Sequence, residues 1–202
     1  MELLSKIQSP FNNLTFEEKK HKYYVKGTPI KTSVSGLITQ FYEKFNAELV
    51  APYSAAKEGV TTEKILAQWA SINQESRDRG HRVHNFGELY QFDRSLKPSC
   101  LQEEAIVAFW KSIPEHIIPV AAELRMYHFK NYKGKTMTGP FSHLLDNPLN
   151  HYVIQLSYYQ LLLEQVGVKV TKRVIVWLGL DGKFSMIDTD DVTDILKITL
   201  NS

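Results

Sequence analysis

A helical repeat of apolar and small residues runs from Thr61 to Tyr90 and constrains the fold of this chain more than any other feature. The repeat predicts a long helix whose N-cap is Thr61 or Thr62. Glycine inside a helix costs about 1 kcal/mol relative to alanine, so Gly80 is expected to let another backbone approach closely. The stripe consists of Ile65, Leu66, Trp69, Ile72, Ser76, Gly80, Val83 and Gly87.

The end of this predicted helix carries candidate metal ligands. His84 and Glu88 are four residues apart and therefore share one face of the helix. A neutral imidazole followed by a carboxylate one turn later can bind a divalent metal or simply form a hydrogen bond, and both alternatives stay open. The expected close approach at Gly80 would place His84 in a crevice.

Length and composition limit the class of protein. The chain has 202 residues, of which 43% are hydrophobic and 23% charged, and this suits one domain with its own core. The single cysteine, Cys100, excludes an internal disulfide and a cysteine-rich metal site, and it favours a reducing, cytoplasmic setting. The net charge of +2 does not require a nucleic-acid partner, although a local basic groove is compatible with it. No segment has the ~20 apolar residues of a membrane span, so no membrane association is expected.

Periodicity and turn signals predict the order of the elements along the chain. The segments are a lead-in at residues 1–20, a hairpin, helices and first core strand at 21–127, a linking loop at 128–150, and an amphipathic helix, final hairpin and terminal helix at 151–202. This order predicts a single domain of the α/β (α+β) class, with a small mixed β-sheet flanked by helices.

Several short motifs occur along the chain in the order that one nuclease family shows. They are Trp69 followed by Gly80-x-x-x-His84, Ala122-Glu123 at the end of a predicted strand, the loop residues Gly134-Lys135-Thr136 and Ser142-His143-Leu144, and Asn150-His151-Tyr152 leading into Gln155-x-x-x-Tyr159. In this order they resemble the RecB-like phage exonucleases of the PD-(D/E)XK superfamily, from about residue 20 to about residue 190. The mitochondrial genome-maintenance exonuclease and the CRISPR-associated RecB-like nucleases resemble the chain more distantly.

The resemblance implies a restriction-endonuclease-like core and a deoxyribonuclease, in particular an exonuclease, that hydrolyses phosphodiester bonds. In this family Mg²⁺ (or Mn²⁺) activates the attacking water and stabilises charge on the phosphate. By position, His84 and Glu123 would hold the metal. Glu123, Gln155 and Tyr159 would be the catalytic and supporting residues.

The substrate that the resemblance implies is DNA, in the cytoplasm of a host cell. Lys130, Lys133, Lys135 and His151 are candidates for contact with the phosphate backbone, although a lysine-rich loop is usually just solvated and a structural role for His151 is the ordinary alternative. Asp146, just before the amphipathic helix, is interpreted as a capping or loop residue. A second copy of the chain, or phage and host recombination proteins, are the further partners that the resemblance allows.

The chain departs from the family directly after Glu123. The family continues with a Gly-x-x-Asp strand and an Asp/Glu-x-Lys strand, and residues 124–133 contain neither motif. Asp181-Gly182-Lys183 matches Asp-x-Lys but is predicted to form a hairpin turn. Two main alternatives follow: an active nuclease whose natural chain carries a further segment between Tyr127 and Lys133, or an inactive nuclease fold that binds DNA or serves as a phage structural or interaction protein. A small α/β protein with an unrelated ligand is the third alternative.

Overall fold

The structure is a computed structural model, and it describes residues 9, 12–17, 20, 22–30, 33–117 and 134–201. Its strands are β1 (Leu14–Glu17), β2 (Lys22–Val25), β3 (Thr28–Pro29), β4 (Val174–Leu178) and β5 (Phe184–Asp188). Its helices are α1 (Val34–Ile38), α2 (Ala47–Glu58), α3 (Thr62–Tyr90), α4 (Leu101–Ser112), α5 (Pro148–Gln165) and α6 (Thr193–Asn201), with a 3₁₀ turn at Gly139–Phe141. None of these helices is long and apolar enough to cross a membrane.

The chain combines helices with strands, which confirms the coarse α/β (α+β) prediction. The described strands form two separate small sheets, one with the order β1–β2–β3 and one made of β4 and β5. The first core strand was expected to reach residue 127, and the structure describes that stretch only as far as Ile117. The mixed sheet and the restriction-endonuclease-like core therefore stay predictions.

Both predicted hairpins are present, and glycine makes each turn possible. Lys26 and Gly27 have φ angles of 50° and 79° and connect β2 to β3, as a two-residue turn between antiparallel strands requires. Gly182, with a φ of 75°, lies in the turn between β4 and β5, so the turn interpretation of Asp181-Gly182-Lys183 is confirmed. The lead-in prediction was incomplete, because β1 lies within it and pairs with β2.

The described residues group into two compact units, each made of separate stretches of sequence. The first unit comprises the described residues up to Glu43, those from Gly134 to Trp177, and those from Met186 onward. The second unit comprises Lys44 to Ile117 and the hairpin tip Leu178–Ser185. The prediction of one domain over residues 1–202 is not tested by this grouping and stays a prediction.

The first unit packs around α5. Asn147 caps this helix by accepting the backbone N–H of Asn150 at 2.8 Å, and Pro148 occupies the first helical position, where no N–H is needed. The hydroxyl of Ser157, which is 0% exposed, accepts the backbone N–H of Val192 at 3.3 Å and so ties the start of α6 to α5. The core residues around α5 are Ile38, Met137, Phe141, Val153, Ile154, Leu161, Val192 and Leu196.

The second unit is built on α3, whose 29 residues confirm the long-helix prediction. At its start, Ile65 is buried against Ala51 and Ala55 of α2, and towards its end Val83, Phe86 and Tyr90 are buried beside α4. Between these two ends, residues 70–79 are exposed on every side of the helix. In this exposed stretch the helix is stabilised by hydrogen bonds between side chains four residues apart, from Ser71 to Glu75 and from Gln74 to Asp78.

The close approach predicted at Gly80 is not made by any residue that the structure describes. A Cβ atom built at this position meets none of their atoms within 4 Å. Gly80 lies at the edge of the exposed stretch of α3, before the helix becomes buried again at Val83. A small residue on a helix therefore did not signal a close contact here.

Candidate functional site

Three of the predicted site residues form a stripe along α5. His151, Gln155 and Tyr159 follow one another at intervals of four residues. Because a helix advances about 100° per residue, each lies about 40° around the axis from the one before, so all three share one side of the helix. With the same rotation per residue, the centre of the stripe lies roughly 140° around the helix axis from the centre of the buried face. That face consists of Val153, Ile154, Ser157 and Leu161. The amide Nε2 of Gln155 donates a hydrogen bond to the hydroxyl of Tyr159 at 2.8 Å. We refer to these three residues as the α5 stripe.

Two contacts fix the imidazole at the start of the stripe. His151 Nε2 lies 2.9 Å from Oδ1 of Asp146, and the ring stacks on Tyr42 with 4.4 Å between centroids. The Asp146 side chain is 12% exposed and that of His151 is 26% exposed. No described residue forms a hydrogen bond with His151 Nδ1, and this nitrogen is not fully buried. When neutral His151 donates Nε2–H to the carboxylate, Nδ1 keeps a lone pair that can accept a proton or bind a cation.

Asp146 is the site residue that the sequence interpretation missed. It lies in the loop directly before α5, which agrees with the loop alternative, whereas the cap is Asn147 and the contact of the Asp146 carboxylate with His151 was not predicted. A spacing of five residues across a helix start matches no common pairing rule, so no sequence pattern predicts this contact.

Lys135 lies in the same unit and already has a carboxylate partner. Its ammonium group forms an ion pair with Glu43. The hydrogen bond from Lys135 and then its positive charge hold the pKa of the exposed Glu43 carboxyl below its ordinary value. The carbonyl oxygen of Lys135 also accepts the backbone N–H of Asp146 at 2.7 Å, which closes the loop between them. A contact of Lys135 with phosphate would therefore have to compete with Glu43.

His84 lies in the second unit, on the last third of α3. Its Nδ1 is 3.5 Å from Oε1 of Glu88, which is at the long limit for a hydrogen bond. Its side chain is 23% exposed, and Nε2 is buried without a hydrogen-bond partner among the described residues. An unpaired buried nitrogen of this kind costs roughly 1–3 kcal/mol, so an acceptor or a bound cation at Nε2 would be stabilising. Both alternatives stated for His84 and Glu88 are compatible with this geometry.

The remaining predicted site residues, Glu123, Lys130 and Lys133, lie outside the described residues, as does the interval after Tyr127 where the family carries its metal ligands. A Mg²⁺ ion needs several oxygen ligands that converge on one point. Within the part of the chain that the structure describes, no three His, Cys, Asp or Glu side chains are grouped closely enough to hold a metal ion. The described residues alone therefore do not supply the predicted metal centre.

The structure brings Gln155 and Tyr159 together with His151 on one helix, and it places Lys135 in the same unit. It assigns His84 to the other unit. No protein family, curated protein or solved structure matches the chain.

Proposed function

We propose that this chain acts on DNA as a metal-dependent nuclease of the phage exonuclease type. The observation that carries the proposal is the α5 stripe, in which the Gln155-x-x-x-Tyr159 motif lies on a regular helix with its two side chains hydrogen-bonded to each other. His151 extends the same stripe and is oriented by Asp146. Side chains with fixed donors along one helix face suit contact with the phosphates and sugars of a DNA strand.

The hydrolytic part of the proposal is supported by the sequence resemblance rather than by a described metal centre. His84 and Glu123 are the residues of this chain that would hold Mg²⁺ or Mn²⁺, together with carboxylates that the family supplies after Glu123. Such an ion activates water at neutral pH and stabilises the charge that develops on the phosphate. The unpaired Nε2 of His84 is compatible with a ligand role.

One sequence observation favours the alternative, a nuclease-like protein that binds DNA, or another phage protein, without cleavage. Residues 124–133, where the family places its principal metal ligands, contain no Asp and no Glu. Oxygen ligands for Mg²⁺ come mainly from carboxylates, so this stretch has none to offer from its side chains.

Cleavage and binding of labelled linear DNA test both functions together. Single- and double-stranded substrates are incubated with Mg²⁺, with Mn²⁺ or with EDTA, and binding is measured in parallel by fluorescence anisotropy. The proposed nuclease should degrade at least one substrate with a metal and none with EDTA. Gln155→Ala should lower the rate about tenfold or more, which corresponds to losing one hydrogen bond to a charged group. Gln165→Ala, the same substitution at an exposed position of α5, is the matched control.

The outcomes separate the alternatives. Binding that Gln155→Ala weakens, without cleavage in either metal, would reject the nuclease and support the DNA-binding protein. If neither cleavage nor binding is found, both functions fail. The intact mass of the protein from its natural source adds a second criterion. A mass of 23.3 kDa means that no further segment follows Tyr127, whereas a larger mass would leave room for the two missing strands.

A further inference from the structure

A cavity of about 520 Å³ opens in the second unit, where the ends of α3 and α4 meet the segment that follows α4. Tyr90 and Trp110 form its aromatic wall, and Arg94 and Lys111 bring positive charge to it. The apolar residues Ile113, Pro114 and Ile117 line the remaining wall, next to Glu115, the one acidic residue among the described residues of the lining. None of these residues belongs to the α5 stripe or to the predicted metal site.

The guanidinium group of Arg94 lies over both rings of this aromatic wall. Its central carbon lies 4.1 Å from the ring centre of Trp110 and 5.1 Å from that of Tyr90, which is the geometry of a cation–π contact. The backbone around Arg94 is fixed as well, because the carboxylate of Asp93 accepts both the backbone N–H and the hydroxyl of Ser95, at 2.9 and 2.6 Å. Asp93 is thereby engaged with Ser95, and no ion pair to Arg94 is found in the described part of the chain.

A guanidinium that lies over aromatic rings and has no carboxylate partner among the described residues suits an anion. Its ring contacts restrict the side chain, while no described residue occupies its N–H groups, which can form paired hydrogen bonds with phosphate oxygens. Lys111 adds a second positive charge, and with Glu115 the wall carries a net charge of +1 (two positive groups and one negative). The volume lies within the roughly 300–1,000 Å³ typical of small-molecule sites and exceeds what a phosphate ion alone would fill.

We propose that this cavity binds a nucleotide, with the phosphate on Arg94 and Lys111 and the base against the apolar wall of Ile113 and Pro114. The choice of a nucleotide among phosphate-bearing ligands rests on the proposed action on DNA. A free nucleoside monophosphate and the 5′-phosphorylated end of a DNA strand share this chemistry, so the experiment includes both.

Isothermal titration calorimetry in EDTA measures this binding without any hydrolysis. The ligands are thymidine monophosphate, a short 5′-phosphorylated thymidine oligonucleotide, the same oligonucleotide without its 5′-phosphate, thymidine, and inorganic phosphate. Thymidine monophosphate or the phosphorylated oligonucleotide should bind at one site per chain, more tightly than thymidine or phosphate. Arg94→Ala should weaken that binding at least tenfold, and Lys111→Ala should weaken it less. Arg79→Ala removes an exposed arginine of α3 that does not line the cavity, and it should change nothing.

Three results would overturn the inference: no saturable binding of either phosphorylated ligand, equal affinity of the Arg94→Ala variant, or equal affinity for inorganic phosphate or thymidine. A stronger response to the phosphorylated oligonucleotide than to the monophosphate would assign the site to a strand end, and the reverse would assign it to the free product. Because no cleavage is measured, this test and that of the proposed function fail separately. An inactive protein that binds thymidine monophosphate loses only the nuclease assignment, and an active one that does not bind it loses only this site.

Discussion

The carboxylate of Asp146 and the imidazole of His151 meet across the start of α5, with 2.9 Å between Oδ1 and Nε2. The Asp146 side chain is mostly buried, and Tyr42 covers one face of the imidazole. The pair therefore holds the first residue of the α5 stripe in one orientation, with Nδ1 as its remaining reactive atom.

Removing this carboxylate should destabilise the fold. Asp146→Ala leaves a half-buried ring nitrogen without its partner, so the free energy of unfolding should fall by about 1–3 kcal/mol, measured by urea denaturation at pH 7. Asp190→Ala, at an exposed position in the same unit that contacts no partner among the described residues, should change it by less than about 0.5 kcal/mol. Equal effects of the two substitutions would mean that the pair contributes nothing to stability.

The contact between Asp146 and His151 predicts which nitrogen of the imidazole carries the proton. Neutral His151 should carry its proton on Nε2, because that atom faces the Asp146 oxygen. Long-range ¹H–¹⁵N correlation spectra at pH 8 distinguish the two tautomers directly. A dominant Nδ1–H form would contradict the assigned orientation and would remove the lone pair that the site offers at Nδ1.

Periodic and local features were predicted well from the sequence. The long α3 followed from an apolar repeat sustained over eight turns, and both hairpins followed from glycine-containing turns whose positive φ angles the structure shows. By contrast, β1 has only four residues and no buried face, so it lacks the alternation of apolar and polar residues that would have predicted a strand. No described residue makes the approach predicted at Gly80, because helix spacing alone does not determine whether a neighbour lies on that side.

The Asp146–His151 contact depends on how the preceding loop folds, which no local pattern encodes. The loop is positioned by backbone hydrogen bonds between residues distant in sequence, such as Thr138 N–H to the carbonyl of Phe41 at 2.8 Å. The Lys135–Glu43 ion pair spans a similar separation. Pairs of this kind are set by tertiary structure. Gln155 and Tyr159, in contrast, were singled out by their resemblance to the nuclease motif, and their spacing of four residues places them on one helix face.

If Lys135 contacts DNA, releasing it from Glu43 should strengthen binding. Glu43→Gln removes the competing charge, so DNA affinity should rise at low salt. The slope of log K against log salt concentration should become steeper by up to about 0.9 for one additional phosphate contact with duplex DNA. Glu48→Gln, at another exposed acidic position that forms no ion pair among the described residues, controls for the change in net charge. Anisotropy titrations between 50 and 200 mM salt measure both variants, and identical slopes would exclude Lys135 from the DNA contact.

Asp191 should make the stability of the first unit depend on pH. Partial burial raises its pKa, but hydrogen bonds from Thr193 and the charge of Arg173 outweigh that effect and leave the pKa below its ordinary value. A carboxyl whose pKa is lowered by folding stabilises the fold above its unfolded pKa of about 3.9, and this contribution is lost as the pH falls through the lowered value. Asp191→Asn should therefore reduce the urea midpoint at pH 6, and the difference from the unmodified protein should shrink below about pH 4. Asp190→Asn is the neighbouring control and should leave the midpoint at pH 6 unchanged. A difference that persists undiminished at the lowest pH would show that it does not come from the charge.

Removing the hydroxyl of Tyr159 distinguishes a structural role of the α5 stripe from a role in DNA binding. Tyr159→Phe keeps the ring and removes the acceptor of the Gln155 amide, so the free energy of unfolding should fall by only about 0.5–1.5 kcal/mol. If the stripe contacts DNA, the same variant should weaken DNA binding by more than the fivefold that about 1 kcal/mol represents, because Gln155 also loses its fixed orientation. Tyr158→Phe, one residue earlier and packed against the core of the first unit, is the control: it should leave DNA binding unchanged whatever it does to stability. If both variants lower stability and neither changes binding, the stripe is part of the packing of α5, and the observation that carries the proposed function is withdrawn.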